Sequence, residues 1–231
     1  MQEAQAPAVP SAISSSISLS QAQLDALIDP IVAASLSGKR DVQLPALSRR
    51  YVKFYEELGE VSEAYLDVIG AQAKGKTHDD VLEEQVDAFI VIVDIVLVSA
   101  RREMDQGLLP QDALEQLTLA MKRHLAVTFS KSLAPQAAQP WPGYAFEQAM
   151  QAAMFYTAGV HAKLGTHASP YALSLMASQH AYTLLFQDSR GTDGAPIAEA
   201  ATAARLEQLI EFVKAKTSKW VRGREAGKSA I

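Results

Sequence analysis

The sequence contains no cysteine. This absence excludes disulfide frameworks, zinc–thiolate sites, iron–sulfur clusters and thiol nucleophiles. None of the five histidines belongs to an HExxH sequence, so a zinc-protease type of metal site is not indicated either. Carboxylates are therefore the first groups to consider for metal binding or catalysis in this chain.

An excess of positive charge and a long apolar run are also missing. The net charge is −5, which does not indicate a cationic surface, so we expect no nucleic acid polymer as a partner. The longest apolar run, 88–100, contains Asp94 and is shorter than the roughly 20 residues of a transmembrane helix. The first residues lack the basic and apolar segments of a secretory signal. We therefore expect a buried core helix, no membrane partner and a cytoplasmic protein.

Apolar residues make up 48% of the 231 residues, which is enough for one sizeable domain with a packed core. Their recurrence every three or four residues predicts helices, and no convincing strand pattern is present. The predicted fold class is therefore all-α, a helical bundle. The predicted helices cover 20–35, 48–69, 78–105, 111–132, 144–164, 170–186 and 195–221.

Composition divides the chain into five parts. A flexible tail rich in Ala, Pro and Ser is expected over residues 1–19, followed by a helical core over 20–132. The stretch 133–143 contains three prolines and predicts a linker. Additional helices over 144–221 are expected to pack on the core, and 222–231 is expected to fray.

Four acidic residues on two consecutive predicted helices carry most of the functional information. Glu57 and Glu60 are three residues apart on one helix, and Glu84 and Asp87 have the same spacing on the next. Residues three apart lie on one face of a helix. If the helices pack antiparallel, the pairs face each other and repel unless a cation lies between them. Hard oxygen ligands of this kind favour Mg²⁺ or Mn²⁺.

A solvated acidic stripe is the alternative. Glu56, Glu60, Glu63 and Asp67 also follow helical spacing, and a single ExxE is weak evidence for a site. Glu84 and Asp87, however, share a broad face with apolar residues of the 88–100 run, and acids on a core-facing surface are costly to bury without compensation. From the residues alone the two interpretations are about equally supported.

The combined pattern resembles the signature of the all-alpha nucleoside triphosphate pyrophosphohydrolases, the superfamily of MazG-like enzymes and dimeric dUTPases. The matching segments are EELGEVSEA in the first helix and EEQVDAFIVIVDIV in the second, and the resemblance covers about residues 48–132. It implies a MazG-like bundle, with the helices beyond 144 as additions to a catalytic core over 20–132.

The resemblance implies a Mg²⁺-dependent enzyme that converts a nucleoside triphosphate to the monophosphate and pyrophosphate, in control of the nucleotide pool. It assigns Glu57, Glu60, Glu84 and Asp87 as metal-binding and catalytic residues, with Mn²⁺ as a possible substitute ion. It also implies a homodimer or homotetramer. The substrate stays open between dUTP, dCTP, a purine triphosphate and a broad range of deoxynucleotides.

Phosphate-binding residues are expected outside the acidic pairs. The family carries an Asn and a Lys in a segment like SNMSK, and here VTFSK has Lys131 at the lysine position and Thr128 in place of the Asn. Lys53, one turn before Glu57, is a second candidate, although a surface lysine is the commoner case. The Thr128 departure gives weight to an alternative function, a non-catalytic helical interaction protein with a degenerate metal site.

Two further acids are candidates for supporting roles. Asp94 follows Asp87 by seven residues and lies between apolar neighbours, so it needs a partner; an accessory role near the metal and a structural hydrogen bond are equally supported. Glu56 is adjacent to Glu57 but points elsewhere on the helix, and a peripheral base is less expected than a solvated side chain.

Overall fold

The computed structural model describes residues 18–37, 41–133, 139–191 and 199–225, with side chains of the last segment described over 200–222. These residues form seven α-helices and contain no strand, which confirms the predicted all-α class. The helices are α1 (Gln21–Leu36), α2 (Leu44–Val68), α3 (His78–Asp105), α4 (Ala113–Ser132), α5 (Tyr144–His161), α6 (Pro170–Phe186) and α7 (Glu199–Glu225).

Capping boxes set the starts of α1 and α3. The Ser20 hydroxyl accepts the amide N–H of Gln23, and the Gln23 side chain accepts the amide N–H of Ser20. Thr77 and Asp80 form the same reciprocal pair in front of α3. Each pair satisfies amides that have no partner in a first helical turn. Both helices start within one residue of the predicted bounds.

Other helix ends differ from the sequence expectation. α2 begins at Leu44, one turn before the predicted residue 48. Pro45 lies in this first turn, where its missing N–H is no loss and its φ angle is already helical. The N-cap Gln43 makes no side-chain bond to the helix, so no capping sequence marked the boundary. α4 begins two residues late, at Ala113, and α5 ends three residues early, at His161.

Some predictions fall outside the described residues. They are most of the N-terminal tail (1–17), the central part of the Pro-rich linker (134–138), the predicted start of the last helix (195–198) and the end of the C-terminal tail (226–231).

α3 is the central helix of the bundle. It packs against α1, α2, α4, α6 and α7, and its residues 88–100 are all buried. A helix that is apolar around its whole circumference must be enclosed, and each buried Val or Ile contributes about 1.5–3 kcal/mol. This burial fixes α3 as the rigid support of the acids in its N-terminal half.

Two of the three C-terminal helices, α6 and α7, pack directly on α3, and α5 packs on α2 and α6. α6 contacts α3 and α4, α5 contacts α2 and α6, and α7 contacts α1 and α3. α7 thereby brings residues from the end of the chain next to the acidic half of α3. No described helix has the length and apolar character needed to cross a membrane.

Candidate metal centre

A short turn reverses the chain between α2 and α3. Asp67, near the end of α2, is 8% exposed, and its carboxylate accepts the backbone N–H groups of Lys74 and Lys76. Two amides on one carboxylate fix the turn just before Thr77 caps α3. The two helices consequently run antiparallel, as the facing of the acidic pairs requires.

An ion pair between Arg50 and Asp94 shows the register in which α2 and α3 pack. Arg50 Nε lies 3.2 Å from Asp94 Oδ2. Arg50 precedes Glu57 by seven residues and Asp94 follows Asp87 by seven, which is two turns in each case. The same register therefore aligns Glu57 with Asp87 and, one turn further, Glu60 with Glu84.

Three of the four predicted acids converge in the structure. Carboxylate oxygens of Glu57, Glu60 and Glu84 lie within 4.8 Å of one another. Asp87 is the fourth, and its negative charge acts on the carboxyl group of Glu57. Glu57 is 5% exposed, Glu84 and Asp87 are half-buried, and Glu60 is exposed, so the cluster opens to solvent on the Glu60 side.

This donor set fits a small divalent cation. Mg²⁺ binds carboxylate oxygens at about 2.1 Å, which places two ligand oxygens about 3–4 Å apart. The separations of up to 4.8 Å are within a side-chain rotation of that geometry. The exposed side of the cluster leaves room for water or phosphate oxygens to complete the coordination.

Burial and mutual repulsion oppose ionisation of the acids. Burial, with the charges of Asp87 and Glu60, raises the pKa of Glu57 to about 7, although Lys53 acts in the other direction. The pKa of Glu84 is also raised, mainly by burial and then by the charge of Glu60. Burial raises the pKa of Asp87 as well. A cation between these groups would remove the repulsion and keep them ionised.

Lysines from three elements surround the acids. Lys53 Nζ on α2 lies 2.7 Å from Glu57 Oε1 and 3.0 Å from Glu56. Lys76 Nζ, in the turn, lies 3.7 Å from Glu84 Oε1. Lys216 Nζ on α7 lies 2.5 Å from Asp87 Oδ2 and 2.8 Å from Glu83 Oε1. Among the described residues, Glu60 makes no hydrogen bond or ion pair.

The predicted supporting acids have different surroundings. Asp94 is 1% exposed and pairs with Arg50, which also donates to the backbone carbonyl of Asp41. It lies two turns from Asp87 and contacts an arginine, so it holds the helix pair together. Glu56 is largely exposed and is bound to Lys53.

The other phosphate-binding candidates, Thr128 and Lys131, lie on α4 and make no hydrogen bond or ion pair with the four acids among the described residues. Thr128 is buried, with 8% exposure, and Lys131 is exposed with its charge acting on His124. α4 makes no contact with α2 among the described residues, and no ion pair in that part of the chain joins Lys131 to the four acids. Of the phosphate-binding candidates, only Lys53 lies beside the carboxylates.

One residue of the site and one sequence pattern beside it were missed in the sequence. Lys216 was not considered because 129 residues separate it from Asp87 and nothing local marks it. The turn GAQAKGKT, residues 70–77, fits the GxxxxGK[ST] spacing of phosphate-binding loops, but that motif needs a preceding strand. Here the turn joins two helices, and Asp67 occupies its amides, so the spacing does not make a P-loop.

No family model, curated protein or solved structure matches this chain. The functional interpretation therefore rests on the residues and their geometry.

An apolar groove lies apart from the acids. Its volume is about 800 Å³, and α5 supplies most of its lining. Phe155, on its rim, is 75% exposed. The lining residues are Tyr55, Gln148, Gln151, Ala152, Met154, Phe155 and Ala158.

Proposed function

We propose that this chain is a divalent-metal-dependent nucleoside triphosphate pyrophosphohydrolase of the MazG-like, all-alpha type. One observation carries the proposal: carboxylate oxygens of Glu57, Glu60 and Glu84, from two antiparallel helices, lie within 4.8 Å of one another, with Asp87 beside them. The spacing of these acids is also the part of the sequence that resembles that superfamily.

The four acids would hold Mg²⁺, with Mn²⁺ as a substitute. When bound, the ion supplies positive charge that offsets the negative charge growing on the leaving pyrophosphate. A carboxylate that is not fully engaged in holding the ion orients the attacking water and accepts its proton. The phosphoanhydride bond between the α and β phosphates breaks, and the products are the monophosphate and pyrophosphate.

Lysines beside the acids are suited to the polyphosphate. Lys53 is already next to Glu57, and its ammonium can donate hydrogen bonds to phosphate oxygens. A phosphate-binding role for Lys131 and Thr128 stays a prediction from the resemblance. Base and sugar preference stay open between dUTP, purine triphosphates and a broad range of substrates, with nucleotide-pool control in the cytoplasm as the proposed role.

A homodimer or homotetramer is part of the same proposal. The groove on α5 and the exposed Phe155 beside it form an apolar surface of the kind that marks contacts between protein chains. A self-complementary contact, in which both copies use the same surface, is the commonest arrangement of homodimers.

The experiment is a substrate panel. Pyrophosphate release is measured from the eight standard ribo- and deoxyribonucleoside triphosphates and dUTP, with Mg²⁺ and with a chelator. Wild type should release pyrophosphate only with Mg²⁺, and Glu60→Gln should not. The control Glu211→Gln, an exposed acid on α7 that pairs with Lys214, should match wild type. Absence of release from every nucleotide would count against the proposal.

One observation favours a second candidate, a non-catalytic helical interaction protein. Glu57, Glu84 and Asp87 each already have a lysine partner, so the cluster is partly neutralised without a metal. In that case carboxamide substitutions at the acids would leave stability unchanged or raise it, and Mg²⁺ would not change the melting temperature.

A further inference from the structure

Among the residues that the structure describes, Lys216 is the one lysine at the site that comes from a distant part of the chain. Its ammonium lies 2.5 Å from Asp87 Oδ2 and 2.8 Å from Glu83 Oε1. Lys53, in contrast, pairs with acids three and four residues away on its own helix, a contact that helical spacing alone produces. The Lys216 contact requires α7 to be packed on α3.

The backbone of α7 is fixed where Lys216 leaves it. Val213 and Thr217, on either side in the sequence, are 0% and 3% exposed. Nearer the start of α7, the side chain of Arg205 donates to the backbone carbonyl of Gln187 at 3.0 Å. The Lys216 side chain retains 21% exposure, so its ammonium can move at the edge of the acidic cluster while its Cα stays in place.

A divalent cation held by Asp87 would compete with the Lys216 ammonium for that carboxylate. A metal coordinated by this carboxylate lies within a few ångströms of the ammonium, where two positive charges repel strongly. The ammonium then keeps Glu83 as a partner and is able to take a second anionic partner in place of Asp87. In a site that holds a triphosphate, the nearest such partners are phosphate oxygens, which accept strong hydrogen bonds from lysine.

We propose that Lys216 is a polyphosphate-binding residue that Asp87 and Glu83 hold in place until the metal ion binds. The inference rests on the proposed function and adds a residue to its site. Metal binding releases the ammonium from Asp87, and the released ammonium binds the polyphosphate. Metal and polyphosphate therefore bind with positive coupling through Lys216, and the coupling is reciprocal.

The test measures binding rather than turnover. Mg²⁺ affinity is measured by calorimetry on the full chain without nucleotide, and then the affinity for inorganic tripolyphosphate at saturating Mg²⁺. In Lys216→Met, Mg²⁺ should bind about tenfold more tightly, because the competing charge is gone. Tripolyphosphate should bind about tenfold more weakly, because a charged donor is lost.

Two further variants make the result specific. Lys214→Met removes a lysine of the same helix that pairs with Glu211 and with no other acid in the described part of the chain, and both affinities should equal those of wild type. Lys216→Arg keeps the charge and should stay within about threefold of wild type in both. It also serves as the informative variant if Lys216→Met fails to fold, because loss of tripolyphosphate binding in the arginine variant would overturn the inference.

Failure of the role proposed for Lys216 and failure of the proposed function give different binding results. If wild type binds Mg²⁺ and hydrolyses nucleotides while Lys216→Met changes neither affinity, the role of Lys216 is wrong and the proposed function stands. If both affinities fall in Lys216→Met, the lysine supports the fold and does not compete with the metal. If wild type binds no divalent cation, the proposed function fails and this inference fails with it.

Discussion

Arg50 Nε and Asp94 Oδ2 lie 3.2 Å apart, with side chains 10% and 1% exposed. This buried ion pair joins α2 to α3 two turns from the acidic cluster. A buried pair adds little net stability compared with an apolar pair, but removal of one partner leaves an uncompensated charge. The contact therefore fixes the register that brings Glu57, Glu60 and Glu84 together.

Removal of the arginine should destabilise the chain strongly. Arg50→Met leaves Asp94 in the core, and the free energy of unfolding should fall by about 3–5 kcal/mol. The double variant Arg50→Met/Asp94→Leu should recover most of this loss. Urea unfolding followed by circular dichroism measures both. A single variant as stable as wild type would show that the pair does not fix the register.

In the metal-free protein, the contribution of Glu57 to stability should fall as the pH rises. The pKa of Glu57 is raised from its usual 4.5 to about 7, so the folded state holds a proton that the unfolded state has released in that interval. The contribution of Glu57 to stability is thus complete below about pH 4.5 and is lost towards pH 7, by on the order of 2 kcal/mol. Glu84 and Asp87 have pKa values raised in the same direction.

The matched variant is Glu57→Gln, which has no carboxyl group to titrate. In chelator, the difference in unfolding free energy between wild type and Glu57→Gln should shift in favour of the variant between pH 5 and pH 7.5. Mg²⁺ should reduce this shift because it stabilises the ionised form. A difference that does not change with pH would contradict the burial of Glu57 as described.

Gly191 should tolerate no side chain. Its φ is +71°, and a Cβ there would lie 2.3 Å from the backbone nitrogen of Gly143. Gly165 also has a positive φ, +87°, but a Cβ there meets nothing within 4 Å. Gly165→Ala should cost about 1–2 kcal/mol through its backbone alone. Gly191→Ala should cost about 1–3 kcal/mol more, because the backbones must separate. Equal melting temperatures for the two variants would contradict this close approach.

The apolar groove on α5 predicts an effect on assembly. Phe155 is 75% exposed, and Phe155→Asp puts a charge on the proposed contact surface. Size-exclusion chromatography with light scattering should show wild type as a dimer or larger and the variant as a monomer. The control Leu108→Asp changes a residue that is 69% exposed after α3, and it should leave the mass unchanged. A monomeric wild type would exclude this contact.

Local signals in the sequence predicted the parts of the structure that local interactions determine. The capping residues Ser20 and Thr77 marked two helix starts, and the predicted bounds of α6 agree with the observed Pro170–Phe186. The start of α2 was missed, because Gln43 makes no side-chain cap. The facing of the acidic pairs on α2 and α3 was also predicted from local signals, because helical spacing and a short turn determine how the pairs face each other.

Long-range contacts were not predictable in this way. Arg50 pairs with Asp94 across 44 residues, and Lys216 reaches Asp87 from the last helix. Both depend on how helices dock, which the spacing along one helix does not contain. The role assigned to Asp94 stayed open for that reason: the sequence showed a buried acid in need of a partner, and the structure supplies Arg50.

Product analysis tests the central claim most directly. Phosphorus NMR follows a triphosphate that the panel identifies as a substrate, with wild type and Glu60→Gln, in Mg²⁺ and in chelator. The account predicts monophosphate and pyrophosphate in equal amounts from wild type with Mg²⁺ only, and an unchanged triphosphate in the other three samples. Diphosphate and inorganic phosphate as products, or turnover retained in Glu60→Gln, would contradict it.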